Sequence, residues 1–177
     1  KKKNIGEDWY TGDTYIFGIG QGYLLTTPLQ VNAWTQIIAS GGKLYKPHLL
    51  KNIGEQVLTT TTLSLSSINL VRQGMVGACE TGGTGWPLFN FKVKNAKIKD
   101  DGKNFLPAPE ATTSGALKDS HHVVIACKTG TAQHGDEQTM PHAWITLFAP
   151  AYNPEIVVTV LNESSGEGSN EAGPIAK

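Results

Sequence analysis

The hydrophobic period changes several times along this chain. Through the first 27 residues none holds: Gly6, Gly12, Gly18, Gly20 and Gly22 are interleaved with Trp9, Tyr10, Tyr15, Phe17 and Tyr23. Glycine tolerates positive φ and admits close approach of other groups. The stretch therefore reads as an irregular loop whose aromatics pin it to the body of the protein. A helical period follows. Leu29, Ala33, Ile37 and Ile38, with Trp34, form one stripe. Pro28 suits the first helical position, Thr27 is a natural N-cap, and Gly41-Gly42 ends the helix. Leu44 to Leu50 reads as a short extended piece, kept to an edge by Pro47. A second helix is predicted from Ser66 or Ser67, with Ile68, Val71, Met75 and Val76 at helical spacing and Gly82-Gly83 as its stop.

Residues 85–120 have no clear period. Lys92, Lys94, Lys97, Lys99 and Lys103, with Val93 and Ile98, suit an exposed hairpin. Pro107, Pro109 and Thr112-Thr113-Ser114-Gly115 suit a long mobile loop. The last third is clearer. Val123-Val124-Ile125-Ala126, Ala143 to Phe148 and Glu155 to Leu161 are β-branched or apolar runs joined by short connectors, which predicts an antiparallel meander. A Gly/Ser-rich loop from Glu163 to Ser169 leads to Ala172, Pro174, Ile175 and Ala176, the expected start of a helix.

Composition narrows the function. Among 177 residues, 15 Lys and Arg balance 15 Asp and Glu, so no charge excess invites nucleic acid or an anionic membrane surface. A hydrophobic share of 39% fits a globular chain. Two cysteines exclude a disulfide-dense scaffold and a four-cysteine zinc site. Cys79 and Cys127 are read as buried, inert thiols in preference to a disulfide or a reactive thiol. No apolar run approaches the ~20 residues of a membrane helix. Lys1-Lys2-Lys3 precedes polar Asn4 and Glu7-Asp8, so no signal peptide is expected.

One motif carries chemistry: Lys128-Thr129-Gly130-Thr131, placed on the first strand of the meander. A Lys-Thr-Gly triplet is one of three signatures of β-lactam-recognising serine enzymes. The ammonium of Lys128 and the hydroxyl of Thr129 can hold a carboxylate. Gly130 leaves room for a peptide beside the strand, and the backbone N–H of Thr131 can face a developing oxyanion.

At this point the chain resembles the transpeptidase domain of class B penicillin-binding proteins, of the elongation type called penicillin-binding protein 2. Further segments carry the likeness in order. Gly12-Asp13-Thr14, Ile19-Gly20-Gln21-Gly22-Tyr23 and Thr27-Pro28-Leu29-Gln30 resemble one family block. Ser40-Gly41-Gly42 with Tyr45-Lys46-Pro47-His48, then Gly82-Gly83-Thr84, resemble others. His142-Ala143-Trp144 with Phe148-Ala149-Pro150, and finally Gly173-Pro174-Ile175-Ala176, complete the series. The resemblance implies an α+β fold, an antiparallel β-sheet flanked by helices (the penicilloyl-serine-transferase fold), incomplete in this chain. Residues 1–177 would be the C-terminal portion of a single domain, with 85–120 an insertion. The implied reaction is D,D-transpeptidation of peptidoglycan stem peptides through a serine acyl-enzyme. β-Lactams would act as mimics of D-Ala-D-Ala. The implied partners are the stem peptide, β-lactams and the N-terminal part of the domain. A membrane glycosyltransferase of the elongation machinery is a further candidate. The implied location is the extracytoplasmic face of the bacterial cell membrane. No cofactor, metal or nucleic acid is implied.

The family's two other motifs, Ser-x-x-Lys and Ser-x-Asn, find only formal matches in Ser40-Gly41-Gly42-Lys43 and Ser67-Ile68-Asn69. A nucleophile motif belongs at a helix N-terminus, with serine and lysine one turn apart. Ser40 lies at a helix C-terminus beside two glycines, and Ser67 is explained as a cap. The true motifs are expected outside the chain, and the chain alone is expected to be inactive. Two alternatives stay open: a non-catalytic β-lactam sensor or pseudoenzyme of the same fold, and a stand-alone β-rich binding module. One departure bears on fit, because Cys127 stands where the family has Gly before the Lys. Its side chain either crowds the cleft or packs against a neighbouring helix. Gln21, between two glycines, reads as a structural hydrogen-bonding residue and not a catalytic one. Trp9, Tyr10 and Tyr15 read as loop anchors, and His134 and His142 as polar surface residues.

Overall fold

A computed structural model of the chain describes residues 5–93, 121–136 and 138–177. The expected hairpin and loop between Lys94 and residue 120 lie outside them. The first 27 residues are less irregular than expected, because Thr11–Gly18 form helix α1. Asp13 makes it possible: its carboxylate accepts from the Tyr10 N–H at 2.8 Å, supporting the first turn. Helix α1 buries no residue. Trp9 and Phe17 pack edge-to-face on each other at 5.9 Å, and Tyr15 remains 74% exposed.

Helix α2, Pro28–Ala39, follows its sequence signals. Thr27 Oγ1 accepts from the Gln30 N–H at 3.2 Å, and Gln30 Oε1 accepts from the Thr27 N–H at 2.8 Å, a reciprocal capping box. Gly41 (φ 74°) and Gly42 (φ 117°) turn the chain out of the helix. The extended piece after it is β1, Lys43–Tyr45, which pairs antiparallel with β2, Val57–Thr60. Helix α3 runs Leu65–Ala78, and its cap is Ser64, not Ser66 or Ser67: Ser64 Oγ accepts from the Ser67 N–H at 3.1 Å. It ends before Gly82-Gly83. Cys79 already leaves helical geometry, and the Ala78 carbonyl is taken by the Gly85 N–H at 2.7 Å. Lys92–Val93 (β3) pairs with His121–His122 (β4).

The meander is present, displaced at its start. Strands β5 (Ala126–Ala132), β6 (His142–Ala149) and β7 (Ile156–Asn162) form an antiparallel sheet in that order. The motif lies on the first strand as expected, but of the apolar run Val123 to Ala126 only Ala126 belongs to that strand, which runs on to Ala132. Lys128 pairs with Thr146, which pairs with Thr159.

Side chains alternate between the two sheet faces. One face buries Ala126 and Phe148 with Ala39, Met75, Val76, Ala151 and Tyr152. The other buries Cys127, Ala143, Ile145 and Leu147 with Cys79, Leu88 and Ala172. Helices therefore lie on both faces, as the resemblance implied. A short π-helical turn, Gly168–Ala172, and a final helical turn α4, Gly173–Ala176, belong to the second face. A row of threonine hydroxyls registers α2 over the first face. Thr35 Oγ1 meets Thr146 Oγ1 at 2.8 Å, which meets Thr159 Oγ1 at 2.8 Å.

Candidate active site

Strand β5 is an edge of the three-stranded sheet. All four motif residues lie on it, each held in register with β6: Lys128 opposite Thr146, Thr129 opposite Ile145, Gly130 opposite Trp144 and Thr131 opposite Ala143. The residues of an antiparallel strand point their N–H and C=O groups alternately toward one neighbour and the other. The Thr131 carbonyl accepts from Gln21 Nε2 at 2.7 Å, on the side away from β6. The Thr131 N–H therefore faces the same outer edge, where a ligand can lie. Gly130 packs closely against the Trp144 side chain, since a Cβ there would stand 3.2 Å from Trp144 Cβ.

Strand alternation separates the two side chains expected to hold a carboxylate. Lys128 leaves β5 on the face of α2 and α3 and joins Val31, Trp34, Ile38, Val71 and Met75 in lining an apolar groove of about 500 Å³. Its ammonium reaches back to the Thr129 carbonyl at 2.5 Å. Thr129 leaves on the opposite face, where its hydroxyl donates to Thr84 Oγ1 at 2.8 Å. Lys128 and Thr129 can reach one ligand only around the strand edge, from opposite sides. Thr131 shares the face of Thr129, and its Oγ1 accepts from the Gly168 N–H at 3.5 Å.

Cys127 corrects the reading of the cysteines. It forms a disulfide with Cys79, with a Cα–Cα distance of 5.7 Å, and both residues are buried. The pairing follows from the faces of the fold: Cys127 points into the second core, where the C-terminus of α3 delivers Cys79. Cys127 thus packs away from Lys128 and its groove. Gly85 sits directly on the bridge, and a Cβ there would press on both sulfurs.

Of the two rejected serines, Ser40 stands at the helix end where sequence reasoning put it, whereas Ser67 lies inside the first turn of α3 and is not its cap. Ser40 is the C-cap of α2, and its hydroxyl donates to the Lys43 carbonyl at 2.7 Å and accepts from the Lys43 N–H at 3.0 Å. Ser67 lies in the first turn of α3, where its Oγ meets Ser64 Oγ at 2.8 Å. His134 and His142 face each other across the β5–β6 hairpin. Their rings stack at 3.7 Å, and His142 Nδ1 accepts from the Ser164 N–H at 2.9 Å. Among the described residues no group of three or more His, Cys, Asp or Glu could hold a metal ion. Sequence reading missed two site neighbours, Thr84 and Gly168. Thr84 was visible only as part of a Gly-Gly-Thr run. Gly168 had no signal beyond a glycine in a loop, because its role depends on packing against Gly130 and Trp144.

The model of the penicillin binding protein transpeptidase domain matches residues 1–177. The peptidoglycan D,D-transpeptidase MrdA of Haemophilus influenzae is 31% identical over 191 residues, covering 100% of the chain and 26% of the relative. The structure of a complex between penicillin-binding protein PBP2 and MreC from Helicobacter pylori superposes with a TM-score of 0.69 at 32% identity, covering 99% of the chain and 28% of its counterpart. The ceftriaxone acyl-enzyme complex of penicillin-binding protein A from Mycobacterium tuberculosis superposes with a TM-score of 0.61 at 27% identity, covering 90% of the chain and 33% of its counterpart. The chain spans about a quarter of the length of the curated relative.

Proposed function

Because the chain belongs to the penicillin binding protein transpeptidase family, we propose that it supplies the substrate-gripping strand of a peptidoglycan D,D-transpeptidase. Residues 1–177 are then the C-terminal portion of one transpeptidase domain. The reaction is acyl transfer. A serine hydroxyl adds to the carbonyl carbon between two D-Ala residues, the C–N bond breaks, and the terminal D-Ala leaves with a proton as free amine. The ester then passes its acyl group to an amine of a second stem peptide, which forms the cross-link. β-Lactams acylate the same serine. Lys128 supplies positive charge for the terminal carboxylate, and Thr129 adds a hydroxyl from the opposite face of the strand. Gly130 keeps the edge open, and the Thr131 N–H is one oxyanion donor. In this reading the nucleophile comes from residues outside these 177, while Ser40 and Ser67 serve helix-end contacts. The apolar groove beneath Lys128 is the place where the segment carrying it docks.

The observation that carries this reading is the position of Lys128 to Thr131. The motif lies on a sheet edge, its lysine over an apolar groove and its Thr131 amide turned outward. The Cys79–Cys127 disulfide supports an oxidising compartment. The extracytoplasmic face of the cell membrane is such a compartment. No helix of the described residues is long and apolar enough to cross a membrane, so an anchor would be separate from them. The H. pylori relative was solved with MreC, and we extend to this protein a partner of that kind, together with a membrane glycosyltransferase.

The test is labelling of the whole protein with a fluorescent penicillin. A covalent adduct that survives denaturation is expected. Lys128→Ala should slow its formation by about 10- to 100-fold, the loss of one charge-assisted contact. A protein that folds yet forms no adduct would overturn the assignment.

A further inference from the structure

The outer edge of β5 has an unusual feature. A sheet edge ordinarily offers N–H donors and C=O acceptors in alternation, which makes it a template for any extended chain. Here the protein itself occupies both acceptors of the motif. The Thr129 carbonyl accepts from Lys128 Nζ at 2.5 Å, and the Thr131 carbonyl accepts from Gln21 Nε2 at 2.7 Å. The N–H groups of Thr129 and Thr131 point the same way as those carbonyls. What the edge presents is therefore rich in donors.

Gln21 is delivered to this position from 110 residues away in sequence. It sits at the tip of a turn between Gly20 (φ 78°) and Gly22 (φ 74°), conformations that side chains resist. The turn is tied to α1 by Gly20 N–H to the Phe17 carbonyl at 2.9 Å and Gln21 N–H to the Ile16 carbonyl at 3.1 Å. A Cβ on Gly22 would stand 3.0 Å from Ile16 Cγ2. Backbone geometry thus fixes where the Gln21 side chain starts, and its amide is long enough to reach the strand.

We propose that Gln21 is a positioning residue for the acyl-transfer site. Its side-chain amide clamps the Thr131 peptide from the carbonyl side, so that the Thr131 N–H keeps the direction an oxyanion needs. It also covers an acceptor that would repel a carboxylate or an oxyanion. This inference rests on the function proposed above. The side chain must donate: a carboxylate of the same length would set negative charge against a carbonyl and beside the anion to be bound.

The experiment measures the rate of acylation of the whole protein by fluorescent penicillin, for wild type, Gln21→Met and Gln21→Glu, with thermal unfolding of each. Gln21→Met keeps the length and loses the donor. It should acylate about 10- to 100-fold more slowly, the scale of a misdirected oxyanion donor. Gln21→Glu should be slower still at neutral pH. As its carboxyl protonates it regains an O–H donor, so its rate relative to wild type should climb as the pH falls into the glutamate range of about 5 to 4. A merely structural role would lower the melting temperature without that recovery. Gln21→Met acylating as fast as wild type, or Gln21→Glu showing no recovery relative to wild type, would overturn the role of Gln21. Failure of the wild type itself to be labelled would instead overturn the proposed function.

Discussion

Arg72 shows how much a single side chain can organise in this fold. It lies on α3 with no exposed surface, and its guanidinium donates to the carbonyls of Ile38 (2.7 Å) and Ala39, the last residues of α2. It also lies 6.0 Å from the Phe148 ring centre. Burial lowers its pKa to about 10, so it remains charged at neutral pH. It therefore caps one helix from another, with a cation where the α2 dipole is negative. Arg72→Met should destabilise the protein by about 3 kcal/mol, since two buried carbonyls lose a charged donor. Chemical denaturation of the whole protein checks this, and Arg72→Lys should recover only part of the loss. Gly168→Ala is a second residue-scale test. The added Cβ would press into the backbone of Trp144 and Gly130. Slower penicillin acylation and a lower melting temperature are both expected. Arg72 was invisible in the sequence because it occupies one position of an otherwise apolar helix face, and only the fold reveals that α2 ends beside it.

At the scale of elements, legibility followed local chemistry. Helix α2 could be read because its cap, its proline and its glycine stop are all adjacent in sequence. The strand of the motif could be read from its β-branched approach, but its start could not. Val123 to Ile125 are as apolar as any strand, yet the ladder with β6 begins only at Ala126. Helix α1 was missed because glycine and aromatic residues hide a short helix that buries no residue. The disulfide was missed because nothing local to Cys79 or Cys127 indicates that α3 ends against β5. That bridge spans 48 residues. The chain-entropy model gives up to about 4 kcal/mol for a loop of that length. The Cys79→Ala/Cys127→Ala double variant should unfold at lower urea concentration than wild type in oxidising buffer, and a reductant should close most of that gap. At the β5–β6 turn, Asp136 accepts from the Thr139 hydroxyl at 2.7 Å and the Gln138 N–H at 3.1 Å, and these bonds lower its pKa. Its contribution is present at neutral pH and is lost as pH falls through that lowered value. Amide exchange at residues 138 and 139 should therefore gain protection as pH rises from acid, once corrected for intrinsic rates.

The whole molecule leaves much apolar surface open. Leu25 is 91% exposed, Ile19 77% and Leu70 69%, and the groove beneath Lys128 is apolar and unfilled. Surface of this kind marks a docking face or an aggregation hazard. The 177 residues expressed alone should bind a hydrophobic dye strongly and sediment as aggregates, and coexpression with the remaining part of the domain should suppress both. A monodisperse, dye-silent chain would favour a stand-alone module. Scattered short motifs disclosed the family, and an incomplete fold already implied exposed apolar surface; which residues would form it could not be read, because exposure depends on what packs where and not on residue type. The covalent tie between Cys79 and Cys127 has one more consequence. It makes the chain topologically a ring with two tails. A protease that nicks the polypeptide anywhere between those two positions cannot release either piece, and the cut protein should migrate as one band until a thiol is added.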